Sequence, residues 1–149
     1  MPDDRPLSPN AQLIARGLCR HLAHAGFSTL TELVLPNGRR VDVIGIDRAG
    51  AIVVAEVKSS VADFRADQKW QEYLEYCDRF FFAVAEGFPL ELVPAACGLY
   101  VADAYGAALV REPQAAPVPA ARRRALLLRF AMVAADRLRA TSDPEDDSA

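Results

Sequence analysis

Read for the spacing of apolar and polar residues, the chain divides into helix-like and strand-like stretches in a definite order. Ser8-Pro9 is a helix-start signal: a serine N-cap, then proline at the first helical position, where its missing N–H leaves no hydrogen bond unmade. Leu13, Ile14, Leu18, Leu22 and Ala25 recur at helical spacing, and Gly26 offers a stop. Phe27 to Leu35 reads as a first strand, closed by the turn signal Pro36-Asn37-Gly38. Arg39 to Asp47 and Ala51 to Lys58, both rich in β-branched residues, read as the arms of a hairpin. Its loop is Arg48-Ala49-Gly50, with Gly50 in the left-handed position that three-residue loops favour. Asp47 then closes against Ala51, and the register follows. Ile44 faces Val54, Val43 faces Ala55, and Asp42 faces Glu56, with Lys58 two residues along on that same face. The apolar pairs point to both sides of the sheet, so both sides need helices to cover them.

Beyond the hairpin, Ser60 and Asp63 have the spacing of a capping box, with aspartate in place of the usual glutamate. The helix they open is predicted from Val61 to about Cys77. Trp70, Leu74 and Cys77 form one stripe on it, which Asp63 and Asp67 continue toward the N-terminus. Arg79 to Ala85, with three consecutive phenylalanines, is a fourth strand whose aromatics belong to a core. Gly98 to Ala102 reads as a fifth strand, and Ala107 to Arg111 as a candidate sixth, reached through the turn Asp103-Ala104-Tyr105-Gly106. Pro113 to Pro119 is a linker. A last helix runs from about Ala120 to Ala140, packing through Leu126, Leu127, Phe130, Val133 and Leu138. The expected architecture is one α/β (α+β) domain over 9–140: a mixed sheet of about five strands flanked by helices, in the order αβββαβ with C-terminal strands and a helix. A disordered N-terminus over 1–8 and a disordered acidic tail over 141–149 flank it.

Composition narrows the class. With 149 residues, 52% hydrophobic and 25% charged, the chain suits a single globular domain, and no apolar run approaches membrane-spanning length. No secretory signal precedes the first helix, so a cytoplasmic location is expected. Cys19, Cys77 and Cys97 are odd in number and far apart, which fits reduced, buried thiols rather than a disulfide framework or zinc knuckle. The net charge is −3, and setting aside Asp143, Glu145, Asp146 and Asp147 of the tail leaves +1, a weak argument for a nucleic-acid partner. His21 and His24 are neighbours on the first helix without a third ligand nearby in sequence.

The candidate chemistry centres on Asp42 and Glu56. Directly opposed carboxylates, with Cβ atoms ~5 Å apart, repel each other. They fit a solvated pair with Lys58 as counter-ion, or a divalent cation held between them with Lys58 beside it. Glu32, in an apolar strand, needs a partner: it joins this cluster as an outer ligand or pairs with Arg39 or Arg40. Asp63 and Asp67 fit partners of Lys58 and of the metal site, or residues favoured by the helix dipole. Gln68 and Lys69 face a phosphate or water, and Arg122-Arg123-Arg124 grip phosphates or form a solvated basic face.

An aspartate on the second strand and Glu-x-Lys on the third, in the order helix, three strands, helix, strand, resemble the PD-(D/E)xK nuclease superfamily through Asp42 and Glu56-Val57-Lys58. Val41 stands where the superfamily's name has proline, and the first helix lacks the glutamate that many relatives carry. A closer resemblance is to the MmcB-like DNA repair proteins of bacteria. It is carried by Leu35 to Asp42, Glu56 to Ser60, Asp63 to Trp70, Tyr73 to Asp78, Phe82 to Val84 and Gly98 to Gly106. The resemblance implies a restriction-endonuclease-like core and DNA as partner, with other repair proteins as further candidates and no membrane. It also implies Mg²⁺ or Mn²⁺ held by Asp42, Glu56 and the Val57 carbonyl, Lys58 as a catalytic residue that orients the water or stabilises the developing charge, and Asp63, Asp67, Lys69, Arg39 and Arg40 around them. Oligomeric state is left open.

Overall fold

A computed structural model of the chain describes residues 5–144. The elements are α1 (Pro9–His24), β1 (Ser28–Val34), β2 (Arg40–Ile46), β3 (Ile52–Lys58), α2 (Val61–Ala66), a 3₁₀ helix (Trp70–Tyr76), β4 (Arg79–Val84), a short 3₁₀ turn (Leu90–Leu92), β5 (Gly98–Ala102), β6 (Ala107–Arg111) and α3 (Ala120–Ser142). All six strands join one sheet in chain order. The first three form an antiparallel meander, β3, β4 and β5 run parallel, and β6 returns antiparallel as the edge. The sheet therefore has six strands rather than about five, because the 103–106 turn does fold Ala107–Arg111 back onto β5.

The central hairpin has the predicted register, Val43 opposite Ala55 and Ile44 opposite Val54. Asp47 sets it. Its carboxylate accepts the Ala49 and Ala51 N–H groups at 2.9 Å each, and Gly50 takes the left-handed conformation at φ +81. Both faces are covered. On one, Ile14, Leu18 and Leu22 of α1 pack against Val43, Val53, Ala55, Phe81 and Tyr100. On the other, Phe64, Tyr73, Tyr76 and Leu126 close over Ile44, Val54, Phe80 and Phe82.

Two elements differ from expectation. The helix predicted over 61–77 stops at Ala66 and resumes as a 3₁₀ helix at Trp70, which leaves Leu74 42% exposed instead of in a buried stripe. Docking of Trp70 against Phe80 and Phe82 outweighs local helix propensity there. α3 buries only Leu126 fully, and Leu138 stands 69% exposed. The helix is anchored instead by arginines that reach the outer edge of β1: Arg129 donates to the Val34 carbonyl, and Arg137 to those of Thr31 and Glu32. These bonds occupy part of an edge strand that would otherwise be open to pairing.

Asp78 ties the second face together. Its carboxylate takes two hydrogen bonds from Arg123 at 2.6 Å, one from Ile52 N at 2.7 Å and one from Val118 N at 2.9 Å. Arg122 lies over the Tyr76 ring and donates to the Glu75 carbonyl. Two of the three consecutive arginines thus clamp α3 and the 113–119 linker to the body rather than projecting as a phosphate grip. The Arg123 guanidinium holds the Asp78 carboxyl well below the usual carboxylate range. Its stabilisation is present above the ordinary carboxylate pKa and fades as the pH falls through that range. Asp78→Ala should lower stability by about 3 kcal/mol at neutral pH, because it strands a cation and two buried N–H groups. Urea unfolding at neutral pH and at pH ~3 checks this: the gap between wild type and variant should narrow in acid.

Expectations for the chain ends fall partly outside the described residues, which exclude 1–4 and 145–149. The second half of the lead-in is held in place: Leu7 donates to the Glu32 carboxylate, Gln12 to the Leu7 carbonyl and Arg40 to the Arg5 carbonyl. At the other end, Thr141 and Ser142 belong to α3.

Candidate active site

The β2–β3 ladder ends at Val43 and Ala55. One residue further, side chains replace it. Asp42 N donates to Glu56 Oε1 at 3.2 Å, and Val57 N donates to Asp42 Oδ2 at 2.8 Å. Each carboxylate therefore reaches across to the opposite strand's backbone with one oxygen, and the two carboxyl groups also meet each other in a side-chain hydrogen bond. In an extended strand the N–H and C=O of one residue leave by the same edge, so the Val57 carbonyl also faces this opening.

A kink in the neighbouring strand accompanies the opening. Leu30 with Ile44, and Leu33 with Val41, all join the α3-side core, although strict alternation would send the second pair to the opposite face. Glu32, between them and in register with Asp42, resets the alternation by adopting a positive φ of 55°, a costly conformation for a residue with a side chain.

Asp42, Glu56 and Lys58 are 9%, 4% and 5% exposed, so they form the floor of a cavity of about 580 Å³ rather than a solvated strand end. One wall is the α2-to-3₁₀ region, with Asp63, Asp67, Lys69 and Tyr73; the other is residues 5–8 with Ala11; Arg39 and Arg40 complete the rim. Lys58 Nζ lies 3.6 Å from Asp67 Oδ2. Asp63 takes the capping-box position: its N–H donates to Ser60 Oγ, and its carboxylate accepts the Ser59 N–H. Arg39 pairs with Glu72.

Glu32 takes neither expected role. Its carboxylate accepts the Leu7 N–H at 3.2 Å, it does not line the cavity, and Arg39 and Arg40 are engaged elsewhere. Lys69 lines the cavity, while Gln68 turns back to the Phe64 carbonyl and ends α2. His21 packs edge-on to Tyr100, and among the described residues no group of three or more His, Cys, Asp or Glu side chains converges as a metal cluster. Burial pushes the Cys77 thiol up to about 12 and Cys97 to about 11, which makes them poor nucleophiles. Two parts of the site had no signal in the spacing of residues. Tyr73 is buried at the cavity wall with its hydroxyl donating to the Arg40 carbonyl, and in 5–8 only Ser8 gave a signal, as the N-cap of α1 and not as part of a site. Burial, then the nearby Glu56 and Asp42, push the Tyr73 phenol upward, so it acts as a neutral donor.

Electrostatics tests whether a cation suits this place. Burial lifts Asp42 to about 6 against the pull of the Val57 N–H and Lys58. Burial and then Asp42 push Glu56 well above its ordinary range. Lys58 alone does not offset two desolvated carboxylates. A hard divalent ion would, and Mg²⁺ commonly uses one or two carboxylates while keeping several waters. Asp42, Glu56 and the Val57 carbonyl are oxygen donors of that kind, so the residues fit Mg²⁺ or Mn²⁺.

A family model described as DNA repair protein MmcB-like matches residues 2–145. The chain belongs to the MmcB-like family. Among solved structures, this MmcB-like chain is similar to the SPO1766 protein of unknown function from Silicibacter pomeroyi, with 50% identity, a TM-score of 0.91 and coverage of 97% of this chain and 98% of that one. A repair endonuclease from Pyrococcus abyssi matches at 21% identity and a TM-score of 0.35, covering 54% of this chain and 39% of its own. A structure described as an EndoMS-dsDNA2 complex matches at 25% identity and a TM-score of 0.30, covering 57% and 39%. No curated protein matches the MmcB-like chain. Among its described residues, no helix is long and apolar enough to cross a membrane.

Proposed function

We propose that this MmcB-like protein hydrolyses phosphodiester bonds in DNA during repair, with Mg²⁺ or Mn²⁺ bound by Asp42, Glu56 and the Val57 carbonyl. The observation that carries the reading is the buried trio at the cavity floor: two carboxylates from adjacent strands, each with one oxygen on the opposite strand's backbone, converging beside the Lys58 ammonium. The family's description as DNA repair proteins supports the choice of substrate.

When bound, the metal supplies a Lewis acid that polarises the phosphodiester and acidifies a water. Asp42 and Glu56 fix where that charge sits. Lys58 orients the attacking water or stabilises the charge developing on phosphorus oxygens. Lys69 and the arginines of the rim suit the flanking phosphates.

A second reading, a DNA-binding or partner-binding module that does not cleave, is favoured by the donor set, which holds two carboxylates and no third acidic side chain. One experiment separates the two. Single-stranded, nicked and branched DNA are incubated with the protein in Mg²⁺, in Mn²⁺ and in EDTA. Metal-dependent cleavage of at least one substrate is expected; retarded mobility without cleavage in either metal would select the second reading.

A further inference from the structure

The break between α2 and the 3₁₀ helix is where the chain departs most from its own apolar pattern, and it is built rather than frayed. Asp67 leaves the helix at φ −128 and ψ 107. Its Oδ1 accepts the Lys69 N–H at 3.0 Å, a local turn that competes with helix continuation. Gln68 caps the Phe64 carbonyl at 2.9 Å, and Trp70 then starts the next segment against Phe80. With one oxygen fixed in this way, the other lies 3.6 Å from Lys58 Nζ across the cavity.

We infer that Asp67 is a positioning residue that holds the Lys58 ammonium away from Asp42 and Glu56, an assignment that rests on the hydrolytic reading of the site. The Lys58 backbone is fixed by pairing with Val84, but its side chain is a flexible four-carbon stem. Two buried carboxylates stand close by, and an ammonium drawn between them would occupy the place a metal needs. Asp67, on the opposite wall, supplies a competing anchor. The lysine is kept within reach of the substrate phosphate while the two carboxylates are left to the metal. The interrupted helix thereby acquires a role: a continuous helix over 61–77 would place residue 67 in a helical turn without this local turn to aim its carboxylate.

Asp67→Asn isolates this role, because the amide oxygen still accepts the Lys69 N–H while the charge that holds Lys58 is gone. DNA binding is measured in EDTA, where no ion competes with Lys58 for the carboxylates, and cleavage by single turnover with Mg²⁺. The cleavage rate should fall on the order of 10- to 100-fold, whereas affinity should hold or tighten, since a negative charge has left a site that receives phosphate. A residue that merely repels DNA would give a faster variant. A merely structural residue would lower rate and affinity together, with a lower melting temperature. Either pattern, or cleavage at the wild-type rate, overturns the assignment while leaving the hydrolytic reading intact. A wild-type protein that cleaves none of the DNA forms overturns both.

Discussion

Metal-dependent cleavage should fall by at least roughly 10²- to 10³-fold when Glu56 or Lys58 is replaced by alanine, the scale seen when a single preorganised charge-stabilising group is lost. The fold should survive. Glu56 sits at the end of the β2–β3 ladder, not within it, and the central register is held from the other end by Asp47 and the Gly50 loop. Gel assays of cleavage in Mg²⁺, paired with circular dichroism, check both halves; cleavage that persists in both variants would remove this site from the reaction.

The same carboxylates carry a pH signature. The folded-state pKa of Asp42, about 6, lies above its ordinary value, and Glu56 is raised in the same direction. A raised carboxyl binds its proton more tightly in the folded than in the unfolded chain. The metal-free protein therefore loses stability as the pH rises from the ordinary carboxylate range through about 6, the reverse of the Asp78 contribution. Thermal melts in EDTA should show the wild type less stable at neutral pH than Glu56→Gln, which removes one buried charge. Added Mn²⁺ should raise the melting temperature of the wild type and not of the variant.

The sheet and the cavity floor were legible because local chemistry determines them. A hairpin loop with glycine at its left-handed position fixes one register, and that register alone brings Asp42 beside Glu56 and Lys58. Period-two and period-3.6 patterns locate strands and the first helix for the same reason. What was not legible depends on partners distant in sequence. The helix break at 67–69 follows from Trp70 docking on β4 and from Lys58 on β3, neither of which leaves a glycine or proline at the break. Arg122 and Arg123 read as a phosphate grip or a basic face, because their true partners, Glu75, Tyr76 and Asp78, lie more than forty residues earlier. Glu32 could not be assigned from spacing, since the change of face falls at Glu32 itself and no glycine or proline marks it. Tyr73 had no spacing signal either, and Leu138 matches a packing stripe that the helix turns away from the core.

Gly17 shows how much such long-range contact can hide, and its expected loss of stability equals that of Asp78→Ala. In the sequence it is an unremarked residue inside a helix, where alanine would ordinarily be better by about 1 kcal/mol. In the fold, α1 lies so close to the β5–β6 turn that a Cβ on Gly17 would stand 1.7 Å from the Asp103 carbonyl oxygen and 2.7 Å from that of Gly106. Both are backbone atoms. The turn cannot yield easily, because the Asp103 carboxylate is already bonded to the Tyr105 and Gly106 N–H groups, and Asp103 N to the Gly106 carbonyl. Helix α1 must therefore shift, and Leu18 and Ile14, which it inserts against Val53 and Phe81, shift with it. Gly17→Ala should cost about 3 kcal/mol net of the helix gain, a melting temperature lower by roughly 10 °C for a domain of this size. Gly26→Ala is the control that separates steric from conformational cost: it has a positive φ but nothing within 4 Å of the added Cβ, so it should lose less. Calorimetric melts of the two variants decide between them, and a Gly17→Ala protein as stable as wild type would mean that α1 does not approach the turn as closely as this packing requires.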